Sequence, residues 1–286
     1  MKRHLPVAPA PASPARPRPS FPAKLAPTSV QPAAVKTQGA SAFKSTPLAG
    51  PDRAGVKPSP ASVQRPPVII GDGPDLQAVR TAMVRKLQAQ GLVHPAVLAA
   101  LNTVERHRFV DSALASQAYE DTSLPIGLGQ TISKPNVVAR MLELMCHGRT
   151  EKLGRVLEIG TGCGYQAALL SHLSHEVYSM ERLRGLHERA RENLRWFRLS
   201  NLHLLLGDGM LGYAQGAPYA SIIAAAGGNE IPEAWIDQLA VGGRLVAPAM
   251  AESGRQHLVV IDKTTTGVAR TVLEAVLFVP LKSGVA

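Results

Sequence analysis

Cysteine is nearly missing from this chain of 286 residues, which holds two, Cys146 and Cys163. They make no C-x-x-C pair and no cluster with metal-ligand spacing. A disulfide-stapled secreted scaffold and a zinc ribbon are therefore excluded, and reduced thiols in the cytoplasm are expected. Aromatic residues are scarce at 4%. No apolar run reaches the roughly 18 residues of a membrane span, and no stretch of about 7 to 15 apolar residues follows the basic N-terminus as a secretory signal would require. Acids are almost absent from the first 70 residues, where Asp52 stands alone against 10 of the 31 Lys+Arg and among 15 of the 23 prolines. That segment carries about +9 of the formal net charge of +10, and Phe21 and Phe43 are its only aromatics. Its apolar surface is too small to offset the entropy of ordering it. Residues 1–67 are expected to be a disordered, basic, Pro/Ala-rich tail with polyproline character. It is expected to act as a solvated arm and not to bind nucleic acid, because no aromatic or motif is interleaved with its charges. The globular domain is expected over 68–286.

What is present from residue 75 onward is periodic. Leu76, Val79, Met83 and Leu87 recur at helical spacing between Asp75, a fitting cap, and Gly91, a stop. "HPAVLAALNTVERHRF" predicts a second helix with Pro95 in its first turn and Val97, Leu98, Leu101 and Val104 on its apolar face. "TISKPNVVARMLELM" predicts a third, with Ser133 as N-cap and Met141, Leu142 and Met145 inward. From residue 155 the short apolar runs "RVLEIG", "EVYSME", "LHLLLGD", "SIIAAAG" and "GRLVAPA" are separated mostly by helical stretches, the pattern of a mostly parallel sheet covered on both faces. "HLVVIDKTTTGVARTVLEAVLFVPL" instead gives two strands joined through "TTTG" with no helix between them. The fold class is α/β: a doubly wound, mostly parallel, Rossmann-like sheet with a C-terminal antiparallel hairpin and added N-terminal helices.

In such a sheet ligands bind beyond the carboxyl ends of the strands, and "VLEIGTGCGYQAALL" puts Gly160, Gly162 and Gly164 there. The dinucleotide fingerprint is G-x-G-x-x-G, and here the third glycine comes one residue early. The tighter loop leaves less room for a pyrophosphate and is similar to the first motif of S-adenosyl-L-methionine-dependent methyltransferases. As a bare pattern it also serves as a ligand-free strand-to-helix turn, and two acids weigh against that. Glu181 closes the second strand, 17 residues past Gly164, where a carboxylate can accept from both hydroxyls of a ribose. Asp208 ends the third strand in "GDG", placed to meet an adenine amine, with Gly209 leaving space for the ring. Glu158 serves either the loop itself or the ligand's ammonium group.

Upstream, "AYEDTSLPIGLGQTISKP" at residues 118–135 is more than a cofactor fold requires. Together with the glycine loop, "GDG", "EIP" and the closing "EAVLFVPL" it resembles the protein-L-isoaspartate (D-aspartate) O-methyltransferase family over about residues 75–283. The resemblance implies a carboxyl O-methyltransferase that uses S-adenosyl-L-methionine. Its implied partners are age-damaged proteins carrying isoaspartyl or D-aspartyl residues, whose methyl ester then cyclises to a succinimide. It implies that Gln130, Thr131, Ile132 and Ser133 line the active site, with Ser133 catalytic. A capping role for Ser133 is compatible, since a helix N-terminus offers free N–H groups and positive dipole to the substrate's α-carboxylate. No general base is implied, because an α-carboxyl group with a pKa of about 3.3 to 3.7 is already ionised. His172, His175 and His187 are accordingly placed on the surface. Cys163 stands where the family often has serine, and a small side chain suffices there. One departure is Ala225-Ala226-Gly227-Gly228, where bacterial members resemble "TAAP"; a proline and a hydroxyl are lost. Two other readings stand beside this one. A nucleic-acid methyltransferase lacks support because no Asn/Asp-Pro-Pro-Tyr/Phe segment follows the fourth strand. A cofactor-binding module without turnover is distinguished only by assay.

Overall fold

The computed structural model describes residues 75–286. The expected tail and the expected boundary at residue 68 lie outside the described residues. Helix α1 (Leu76–Ala89) starts where the Asp75 carboxylate accepts the Gln77 N–H at 2.9 Å, and it ends before Gly91 at φ +106°. Helix α2 (Pro95–Thr103) buries Val97 and Leu101, then stops short of the expected length. Val104 turns extended, and Arg106–Phe109 form a separate 3-10 turn. Phe109 supplies the reason: its fully buried ring stacks on Phe197 at 5.2 Å and meets Tyr165 edge-on at 5.5 Å, which a continuing helix would not deliver.

The third helix also differs from expectation. Gln130–Ile132 form strand β2, antiparallel to β1 (Leu124–Gly127), and α3 (Pro135–Cys146) begins only at Pro135. Its N-cap residue is Lys134, whose side chain makes no capping bond, and the first-turn Asn136 N–H goes instead to Asp121 Oδ1 at 3.1 Å, so Ser133 is not the cap. The hairpin claims residues 130–132 because Leu124, Ile126 and Ile132 are buried in the core. Pro135 then fixes φ for the first turn while giving up an N–H that a helix leaves unpaired there anyway. Met141, Leu142 and Met145 are buried as expected.

The main sheet comprises β3 (Leu153–Ile159), β4 (Ser174–Glu181), β5 (Leu202–Leu206), β6 (Tyr219–Ala224), β7 (Leu239–Met250), β8 (Gln256–Thr264) and β9 (Gly267–Ala275). Their order is β5-β4-β3-β6-β7-β8-β9; the first five run parallel and β7-β8-β9 is an antiparallel meander. The doubly wound sheet with its closing hairpin is thus present. The last strand is shorter than its apolar run, since residues 276–281 leave the sheet and run beside Gly227.

Side chains alternate across each strand. Val156, Val177, Ile223 and Val246 pack with helices α1–α3, α4 (Tyr165–Leu173) and α5 (Arg184–Leu194). Leu157, Ile159, Ile222 and Leu245 face the other way, toward Trp235 of the short helix α6 (Glu233–Gln238). That face has less helix than the pattern suggested, and Tyr178 fills part of the space with the rings of Tyr213 and Tyr219, whose centroids lie 5.4 and 6.0 Å from its own. The chain winds from β3 outward to β5 and returns to β6 on the opposite flank. The switch point therefore lies at the carboxyl end of β3, where a crevice must open.

Candidate active site

A cleft of about 470 Å³ opens at that point, within the range of small-molecule sites, roughly 300 to 1,000 Å³. Four segments meet on its wall: the end of the β1–β2 hairpin, the glycine loop after β3, the end of β4, and the stretch Val279–Lys282 near the C-terminus. Of the residues singled out from sequence, Gln130, Thr131, Ile132, Ser133, Gly160, Gly162, Glu181 and Gly209 share the wall. Glu158, Gly164 and Asp208 are not part of it.

The loop and the acid of β4 hold each other. Gly162 sits at φ +57° and donates its N–H to Glu181 Oε2 at 2.9 Å, while Leu183 N–H donates to Oε1 at 2.9 Å. A side chain at position 162 would be strained by that φ and would press its Cβ within 3.2 Å of Ile126 Cδ1. Glu181 is 5% exposed, and a carboxylate accepts about four hydrogen bonds, so capacity for two remains on the wall of the cleft. Gly164, at φ +93°, is the N-cap of α4, and a Cβ there would come 2.8 Å from Leu194 Cδ1. It sets loop and helix close together.

Glu158 lies under the loop. It is fully buried and accepts the Ser179 hydroxyl at 2.5 Å, and the Ser179 oxygen is 2.6 Å from that of Thr161. Its second oxygen has no partner. Burial pushes its pKa up to about 8, against the hydrogen bond from Ser179, and the charge of Glu181 adds to the rise. Of the two roles open from sequence, this position supports service to the loop.

Asp208 is already engaged. Its Oδ1 accepts the Met210 N–H at 2.9 Å and its Oδ2 the Gly284 N–H at 2.6 Å. Arg182 Nε donates to the Gly284 carbonyl at 2.9 Å, and the Ala286 N–H reaches the Arg182 carbonyl at 2.9 Å. The C-terminal segment therefore crosses this end of the site, which sequence reasoning missed. Backbone amides make the contact, and they leave no residue-type signature. Gly209 is on the wall for want of room: a Cβ there would stand 2.6 Å from Ile159 Cγ2.

The departure at Ala225-Ala226-Gly227-Gly228 is held by backbone pairing. Ala225 N–H donates to the Ile159 carbonyl at 2.8 Å, Gly227 exchanges bonds with Val279 and Leu281 at 2.9 Å each, and Met250 N–H donates to Gly228 at 3.1 Å. Rigidity that a proline would have supplied comes from these bridges. Among the described residues the wall carries one carboxylate, Glu181, and no histidine. His175 is exposed, while His172 and His187 are half-buried, which lowers the pKa of each. Cys163 is buried, and burial pushes its thiol pKa up.

The family model described as protein-L-isoaspartate(D-aspartate) O-methyltransferase matches residues 78–286. The chain is similar to the protein-L-isoaspartate O-methyltransferase of Methylibium petroleiphilum, 59% identical over 219 residues, which covers 75% of this chain and 81% of that protein. Its similarity to the enzyme of the same name from Ralstonia nicotianae is 47% over 279 residues, covering 88% and 87%. A solved protein-L-isoaspartate O-methyltransferase superposes with a TM-score of 0.65 at 28% identity, covering 72% of this chain and 67% of that one. The chain belongs to the protein-L-isoaspartate(D-aspartate) O-methyltransferase family.

Proposed function

We propose that the chain transfers a methyl group from S-adenosyl-L-methionine to the free α-carboxylate of isoaspartyl and D-aspartyl residues in age-damaged proteins, and that it does so in the cytoplasm. The observation that carries this reading is the meeting of Gln130–Ser133 with the glycine loop and Glu181 on one wall. A cofactor site alone has no use for the first of these segments. Two unpaired thiols fit a reducing compartment, and no helix among the described residues is long and apolar enough to cross a membrane.

The residues present fit the cofactor. Glu181 keeps two acceptor positions for a ribose diol. Gln166, 8% exposed and on the wall, has an unpartnered Nε2 that suits the carboxylate of an amino acid. Gly209 leaves the space an adenine ring requires. When bound, S-adenosyl-L-methionine supplies a methyl group on a cationic sulfur.

The chain's own work is alignment. Ser133 and the N-terminus of α3, where Asp121 takes only the Asn136 N–H, offer donors and positive dipole to the substrate carboxylate. Ile126, Ile132, Ile159 and Met180 line the cleft and exclude water. No side chain has to take a proton, because the attacking carboxylate is ionised at neutral pH, and a wall without histidine suits that chemistry. The ester leaves, a neighbouring backbone amide nitrogen attacks its carbonyl and expels methanol to close a succinimide without assistance, and hydrolysis of the ring returns part of it as a normal aspartyl linkage.

Incubating an isoaspartyl peptide with enzyme and cofactor through many cycles, then separating the products by chromatography, tests the repair outcome. Normal aspartyl peptide should accumulate. Cofactor binding with no ester and no aspartyl peptide would instead identify a binding module.

A further inference from the structure

Arg106 is a buried cation with no acid to pair with. It stands in the 3-10 turn after α2 and is 0% exposed. Its Nε donates to the Ala118 carbonyl and its Nη2 to the Ser133 carbonyl, both at 2.7 Å. Its guanidinium carbon lies 4.9 Å from the centre of the Tyr165 ring, and its Nη1 has no partner and no water access. No carboxylate among the described residues lies within ion-pair distance of it. Asp121, whose field reaches it, spends an oxygen on the Asn136 N–H at 3.1 Å.

Buried charges are ordinarily paired, and two neutral carbonyls and an aromatic face do not cancel a positive one. The field therefore spreads into the low-dielectric surroundings. Both groups that Arg106 touches toward the cleft, Ser133 and Tyr165, lie on its wall. The 12-residue helix α3, with Pro135 in its first turn, begins beside the same point, and Asp121 takes one of its free N–H groups, that of Asn136. Behind Ser133, then, the guanidinium of Arg106 has no ion-pair partner, while the nearest acid, Asp121, is turned to the start of α3.

We propose that Arg106 is a positioning residue that makes the Ser133 side of the cleft select an ionised carboxylate over a neutral group, through its grip on the Ser133 carbonyl and a buried charge that no ion pair cancels. The inference rests on the proposed function. In that reaction the substrate is an anion there and the product ester is neutral, so the same charge that draws the substrate in weakens the hold on the product. Arg106 also ties the substrate side of the wall to the residue that follows the glycine loop.

The test is a comparison of binding, independent of turnover. An isoaspartyl peptide and its α-carboxamide analogue are titrated by calorimetry into wild type, Arg106→Met and Arg106→Lys, each saturated with S-adenosyl-L-homocysteine. Wild type should prefer the carboxylate. The Met variant should lose on the order of tenfold of that preference, the scale of a screened charge interaction at several ångströms, while its affinity for S-adenosyl-L-homocysteine stays within about twofold. The Lys variant, less stable without the guanidinium fork, should keep the preference. An unchanged carboxylate-to-carboxamide ratio in the Met variant overturns the proposal. Should that variant not fold, equal binding of both peptides by wild type, or loss of the preference in a folded Lys variant, overturns it as well. Absence of methyl transfer by wild type would count against the proposed function and leave these ratios measurable.

Discussion

Glu181 reaches from the end of β4 to the middle of the glycine loop, where its Oε2 accepts the Gly162 N–H at 2.9 Å. One carboxylate thus shapes the loop while keeping acceptor positions free on the cleft wall. Glu181→Ala should weaken S-adenosyl-L-homocysteine binding by about 1.5 to 3 kcal/mol, the range for hydrogen bonds to a charged group. Glu181→Gln should fall between, since an amide oxygen still accepts at one of the two backbone amides. Calorimetry showing unchanged affinity in the Ala variant would remove the ribose from this position.

Ser133 separates stability from activity. Because the side chain that caps α3 is Asp121 and not Ser133, Ser133→Ala should change stability by no more than about 0.5 kcal/mol, less than the cost of losing a working cap. Ser133→Asp should fold and bind cofactor normally yet lose most activity toward isoaspartyl peptides. It would set two negative charges together, and at about 4 Å and an effective dielectric of 20 their repulsion is on the order of 4 kcal/mol. A fully active Asp variant in a steady-state assay would take Ser133 off the substrate's path.

The titration of Glu158 gives a pH signature. Its folded pKa of about 8 stands above the ordinary 4.5, so the folded chain holds a proton that the unfolded chain releases. The contribution to stability is full below about pH 4.5 and is lost as pH rises through about 8. Melting temperature of the cofactor-free protein should therefore fall from pH 5 to 8.5 more steeply in wild type than in Glu158→Gln. Parallel slopes in a thermal-shift series would show that Glu158 is not buried as a neutral acid.

Gly209 tests the adenine end. Gly209→Ala would force Ile159, which lines the cleft, to move, and overpacking of this kind costs about 1 to 3 kcal/mol. S-adenosyl-L-homocysteine affinity should fall by a comparable amount. Unaltered affinity would mean that Ile159 has room to give elsewhere.

Much of this was legible in the residues, and the exceptions have physical reasons. Alternating apolar runs and helices gave the parallel sheet, because strands buried on both faces cannot hide their composition. The glycine spacing located the loop, since positive φ restricts residue type. The start of α3 was misread: "TIS" satisfies a capping pattern, and only the burial of Ile126 and Ile132 decides for a hairpin. Phe109 ended α2 for a similar reason, through packing partners nearly 90 residues away. The contact of Gly284 with Asp208 and the lone charge of Arg106 were invisible, since both depend on partners distant in sequence and on backbone groups that every residue shares.

The most direct test of the central claim is the initial rate of radiolabelled methyl transfer from S-adenosyl-L-methionine to two peptides of identical sequence, one with an isoaspartyl and one with a normal aspartyl linkage. Base-labile label should enter the isoaspartyl peptide and scarcely enter its twin, because only the iso linkage presents an α-carboxylate on a short branch to Ser133 and the α3 N-terminus. Equal labelling of both peptides, or of neither, would contradict the assignment.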